Sequence, residues 1–179
     1  MRVWLIKSLL SGLWAGQSDS ILMKCKEVID ENPTVFNGKE LENRISNETK
    51  KDMDYDLNRI EKVKYLDPDS YLILSIVYKS TITYKPISPR NKPQQDHLFS
   101  KDELKGKYPE ELINSIFNIR FVGATPNQSK SGKPFEEWIK TQTSEERAMH
   151  LIPDGDWKMD KFKDFLDKRK ELIFKNFSY

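Results

Sequence analysis

An aspartate followed directly by a histidine, Asp96-His97, stands in the stretch QQDHLFSKDEL, and His97 is one of only two histidines in the chain. An imidazole with a pKa near about 6.5 can take a proton at physiological pH, and a neighbouring carboxylate can ligate a divalent cation. Together they could activate a water molecule. Successive side chains of a strand point to opposite faces, so the pair serves one site only where the strand ends or bends. Taken alone, the dipeptide reads as an exposed pair at a turn. What gives it weight is ordered company downstream: NIRFV from Asn118 and NQSKSGKP from Asn127. Arg90, Lys92, Lys101, Lys105, Lys107, Arg120, Lys130 and Lys133 surround these segments and could track a nucleic-acid backbone or simply form solvated surface. Asp102 and Glu103 interrupt that set.

The elements that must hold these residues follow from periodicity. Val3, Ile6, Leu10, Leu13 and Trp14 make one apolar stripe at helical spacing, and Lys7 breaks the run that a secretory leader would keep apolar. A second helix is predicted from Ser18 or Asp19 to Glu31, with Ile21, Leu22, Cys25, Val28 and Ile29 inward and Pro33 beyond its end. Asn37 with Glu40 resembles a capping box that opens a helix carrying Leu41 and Ile45. A further helix is expected over 51–63 on Met53, Leu57 and Ile60, and another is started by Asp67 and Pro68. Near residue 80 the character changes, because Pro86, Pro89 and Pro93 forbid a long helix; a domain boundary is expected there. DHLF then has room to be one arm of a hairpin, PEELINS a short helix and NIRFVG a brief strand. ATPNQSKSGKP is turn-rich with room for one helical turn. Helices resume at FEEWIKTQ, at Ser144 and from about Met159, where Phe162, Leu166, Ile173 and Phe177 share a face. His150 is expected at a helix end, and Trp4, Trp14, Trp138 and Trp157 in cores.

Composition bounds the class. The 179 residues are 37% hydrophobic, enough for one sizeable core or two small ones. Thirty basic against 28 acidic residues leave a net charge of +2, so any polyanion site must be local. The single cysteine, Cys25, excludes an internal disulfide and Cys-rich zinc sites, and points to a reducing compartment. No segment reaches the roughly 18 uninterrupted apolar residues of a membrane span, so a cytoplasmic, membrane-free protein is expected.

The ordered set DH, NIRFV and NQSKSGKP resembles the HNH, or ββα-metal, endonuclease motif. DHLF, NIRFV and NQSKSGKPFEEW together are similar to the C-terminal nuclease domain of the GmrSD-type modification-dependent restriction endonucleases. WLIKSLLSGLWAGQSDSIL is similar to the helical segment before that domain. The resemblance spans nearly the whole chain, and its specific part is residues 96–138. It implies that Asp96 is a metal ligand and His97 the general base, that Asn118 holds the loop or the ring, and that Asn127 supplies a second ligand oxygen. Lys130, Lys133 and Arg120 would then meet nucleic-acid phosphates. An Asn rather than a His at the third motif position favours Mg²⁺ or Mn²⁺. Ser100 stands where many relatives have proline, and Asn114 could take the middle role instead of Asn118. Relatives carry an N-terminal nucleotide-hydrolysing domain, yet no GxxxxGK[ST] run occurs here, so such a domain or subunit would lie outside this chain.

The expected protein is therefore α+β and mostly α. Residues 1–80 form a helical bundle, and residues 81–179 a small ββα-metal (HNH) nuclease core with packed C-terminal helices, acting on DNA in restriction or phage defence. The oligomeric state stays open. The competing expectations are a non-catalytic module that binds nucleic acid or a partner with a degenerate motif, and a purely structural helical domain.

Overall fold

The structure, a computed structural model, describes residues 2–16, 18–50, 53, 56–78, 93–122, 130 and 133–177. Its contacts divide the chain into two units, Met1–Asp56 and Leu57–Ser178. The fold is α+β and mostly helical, with one small sheet among the described residues.

In the first unit, α1 (Arg2–Leu10), α2 (Ser18–Glu31) and α3 (Gly38–Thr49) bury a common core. Beyond α1, Gly12 takes a left-handed φ of 67°, open to glycine without strain. Asn37 caps α3 by accepting the Glu40 N–H at 3.1 Å. Leu13, Ile21, Cys25, Val28, Leu41, Ile45 and Met53 are buried together, and Trp4 meets Trp14 and Phe36 edge-on at 6.1 and 6.2 Å. The inward stripe of α2 is narrower than expected. Leu22 and Ile29 are exposed, as is Val3 on α1, because Ile21, Cys25 and Val28 already fill the i, i+4, i+7 row that faces α3.

The second unit begins with a 3₁₀ turn, Leu57–Lys62, where the sequence predicts the last part of an α-helix. The helix cannot continue because Lys64 leaves it to form an isolated antiparallel bridge with Ser115. Then follow α4 (Pro68–Val77), β1 (Gln94–His97), α5 (Lys101–Leu104), α6 (Glu110–Ile113) and β2 (Ile119–Val122). The unit closes with α7 (Phe135–Lys140), α8 (Ser144–Met149) and, after one 3₁₀ turn, α9 (Phe162–Asn176). The division at residue 57 differs from the boundary expected near 80. Ile73, Leu74, Ile76 and Val77 of α4 are buried and need an apolar partner, found at β2, where Phe121 lies 4.9 Å from Tyr71 and 6.0 Å from Tyr78. Pro86 and Pro89 lie outside the described residues.

β1 and β2 pair antiparallel, with Asp96 opposite Arg120 and His97 opposite Ile119. Two strands of four residues are marginal alone. This sheet is backed by an aromatic cluster, in which Phe99 stands 4.1 Å from Phe135 and 5.1 Å from Phe165, and Phe165 reaches Trp157 at 5.4 Å. No helix among the described residues is long and apolar enough to cross a membrane.

Candidate active site

His97 is the last residue of β1, so the strand ends at the Asp-His pair. Alternation nevertheless separates the two side chains. Gln95 and His97 share the face turned to residues 64–70: Gln95 accepts from the Leu66 N–H at 3.1 Å and donates to Ser70 Oγ at 2.8 Å, while the His97 ring lies 4.5 Å from the Tyr65 ring, tilted 49° to it. Asp96 belongs to the other face. There its Oδ2 accepts from Arg120 Nε at 3.0 Å and Nη2 at 2.8 Å, and that guanidinium lies 4.3 Å over the Trp138 ring.

The His97 ring is fixed at one nitrogen. Nε2 lies 3.1 Å from Asn114 Oδ1, and Asn114 in turn donates from Nδ2 to Glu110 Oε2 at 2.8 Å. Partial burial lowers the His97 pKa, with the Asn114 hydrogen bond and the Asp96 charge working against that shift. The imidazole is therefore neutral at physiological pH and able to accept a proton.

Asn118 is fully buried and clamps the segment that follows His97. Its Oδ1 accepts the Phe99 N–H at 2.9 Å, and its Nδ2 donates to Phe99 O at 3.0 Å and Ile113 O at 2.9 Å. Its backbone carbonyl also accepts the Leu98 N–H at 2.8 Å. Lys130 adds a second clamp, donating from Nζ to the carbonyls of His97 and Leu98. With 5% exposure, its ammonium is pushed down to about 8, chiefly by burial, while Asp96 opposes the shift. Lys130 thus turns inward to the His97 backbone rather than outward to a phosphate. Arg120, 3% exposed and paired with Asp96, is likewise internal, because an unpaired buried charge would be costly. Of the three cations expected at phosphates, Lys133 alone is exposed. Asn127 lies outside the described residues, as do Arg90 and Lys92.

One group near the site, Arg169, escaped the sequence reading, and a second, His150, stands at the helix end expected for it. Arg169 on α9 is completely buried and donates to Phe117 O at 2.6 Å, Ile119 O at 2.8 Å, the Tyr78 hydroxyl at 3.1 Å and His150 O at 3.3 Å. It ties α9 to the residues that lead into β2. Its signal was positional, since 162, 166, 169 and 173 lie on one helical face. His150, the C-cap of α8, sits between the Tyr78 and Trp138 rings at 6.1 and 6.5 Å. Burial first, then the Arg120 and Arg169 charges, push its pKa down to about 3, so it stays neutral.

The donor set can be tested against the metal that the motif implies. Mg²⁺ keeps several waters and needs only one or two protein carboxylates. Asp96 Oδ1 has no hydrogen-bond partner among the described residues, so one oxygen of that carboxylate fits this minimal demand while Arg120 holds the other. Among the described residues no group of three or more His, Cys, Asp or Glu forms a ready-made cage. No family model matches the chain, and no curated protein matches its sequence.

Proposed function

We propose that the Leu57–Ser178 unit is a metal-dependent endonuclease of the HNH type that hydrolyses DNA phosphodiester bonds. One observation carries the reading: a neutral histidine at the end of a strand, its ring in tilted contact with Tyr65 and bonded to Asn114, its following backbone clamped by Asn118 and Lys130. A base held this way loses little orientational freedom when water attacks phosphorus. His97 would take the proton of the attacking water, a contribution typically of about 10²–10⁴-fold in rate. Bound Mg²⁺ or Mn²⁺ would polarise the scissile phosphate and stabilise charge on the leaving oxygen. Asp96 Oδ1, with Asn127, would hold it, and Arg120 would keep the Asp96 carboxylate from rotating; since Asp96 and His97 leave opposite faces of β1, the two would meet one phosphate only at the strand's end, which His97 forms. The exposed Lys133 remains for the nucleic-acid backbone. Action within a restriction or defence system, together with a nucleotide-hydrolysing domain or subunit outside this chain, rests on the sequence resemblance.

The test is plasmid nicking with Mg²⁺ and with Mn²⁺, comparing the unaltered protein with His97→Ala. Metal-dependent nicking that disappears in the variant supports the nuclease. Nicking that persists in His97→Ala refutes the assignment of the base. The Arg120 pair on Asp96 favours one second reading, a module that binds DNA without cutting it. Retarded DNA with no cleavage in either metal selects that reading.

A further inference from the structure

We infer that Asn114, itself held by Glu110, fixes His97 as the tautomer protonated at Nε2, so that the Nδ1 lone pair is the one that accepts a proton. This inference deepens the nuclease reading and rests on it for its catalytic meaning, but its chemistry is independent. A carboxylate only accepts hydrogen bonds, whereas an amide has distinct donor and acceptor ends. Glu110 Oε2 stands 2.8 Å from one end of the Asn114 amide, which must therefore be the NH₂ end. Lys101 lies 3.2 Å from the same carboxylate oxygen and holds Glu110 ionised, so the direction of this bond does not reverse. The amide oxygen is then the atom 3.1 Å from His97 Nε2, and an oxygen acceptor requires N–H on that nitrogen.

The backbone makes the arrangement local and rigid. Asn114 is the C-cap of α6, with its own N–H donating to Glu110 O at 2.9 Å, so the i, i+4 spacing brings the two side chains together. Tyr65 at 4.5 Å limits rotation of the imidazole about its Cβ–Cγ bond. His97 Nδ1 forms no hydrogen bond with any described residue. Asn114 is in this sense a positioning residue: it touches the base and not the reacting phosphate.

Ring-nitrogen NMR of the uniformly ¹⁵N-labelled full chain tests this directly. Spectra are taken at about pH 8, above the ordinary imidazole pKa of about 6.5. His150→Phe identifies the His97 signals by subtraction. The expected spectrum shows His97 Nδ1 as an unprotonated imidazole nitrogen and Nε2 as a protonated one. Asn114→Ala should move both signals toward the average of a mixed tautomer population, and Glu110→Ala, at an exposed position, should move them the same way without disturbing the core. Protonation at Nδ1 in the unaltered protein overturns the inference, as do signals that neither variant shifts. Because the measurement needs neither metal nor DNA, the Nε2-protonated form in a protein that never nicks DNA would sink the nuclease reading while leaving the tautomer assignment standing.

Discussion

His150→Phe should make the Leu57–Ser178 unit less sensitive to mild acid. In the folded chain the His150 ring lies against Tyr78 and Trp138, its Nδ1 is buried with no hydrogen-bond partner among the described residues, and the Arg120 and Arg169 guanidiniums face it. Its pKa is therefore pushed down to about 3, whereas the unfolded chain restores an ordinary value of about 6.5. A histidine with a depressed folded pKa favours folding fully only above the unfolded value. As pH falls below about 6.5 the unfolded chain binds a proton that the folded chain refuses, and stability drops by up to about 1.4 kcal/mol per pH unit until about pH 3. At pH 5 the loss attributable to His150 is about 2 kcal/mol. His97 shifts in the same direction and leaves some slope of its own. The double difference isolates His150: urea unfolding of both proteins at pH 7 and pH 5, reading how much more the unaltered protein loses. Carboxylates such as Glu31 and Glu110, held below their usual range by Arg44 and Lys101, are present in both proteins, so the slope they add toward pH 5 cancels in the double difference. Equal losses in the two proteins, or an NMR titration of His150 near its ordinary value, would refute the reasoning.

Arg169→Met removes a guanidinium that satisfies the carbonyls of Phe117, Ile119 and His150 in the interior. His150 O keeps the Tyr78 hydroxyl as a donor, so the carbonyls of Phe117 and Ile119 are the ones orphaned; at about 1–3 kcal/mol each, a loss of at least about 2 kcal/mol is expected in urea unfolding, and a loss under about 1 kcal/mol would show that the acceptors find other partners. Gly155→Ala meets two obstacles at once, a φ of 152° and a Cβ that would sit 2.8 Å from Trp157 ring carbons. Thermal unfolding should show a loss above about 1 kcal/mol, and an unchanged midpoint would contradict the close approach of Gly155 to Trp157.

Much of the local structure could be read from the chain because it depends on neighbours in sequence. The Asn37 cap lies three residues from its partner Glu40, and α4 starts at the Asp67–Pro68 pair that pre-sets its first turn. The α9 face of Phe162, Leu166 and Ile173 was visible as a 3.6-residue period. What escaped depends on partners far along the chain. Lys130 and Arg120 looked like surface cations until burial by Trp138 and pairing across the sheet turned them inward. Arg169 sat in plain view on the apolar stripe, but its acceptors are some fifty residues away on the path into β2. Asn114 was visible as a rival to Asn118, and only the fold separates their tasks, one on the ring and the other on the following backbone. The unit break at residue 57 was hidden for the same reason: the buried face of α4 does not say which core it will join.

The double grip of Asn118 on Phe99 has a consequence for motion. The Phe99 N–H is bonded to a fully buried amide rather than to a neighbouring strand or to water, and the Phe99 ring sits at the centre of the aromatic cluster. To expose that N–H the segment after His97 must release the amide and withdraw its ring from Phe135 and Phe165 together. Loops usually open at little cost, whereas a segment anchored in this way opens only with the core around it. The Phe99 amide beside His97 should therefore exchange at a rate set by opening of the core around it rather than by local fraying of the turn.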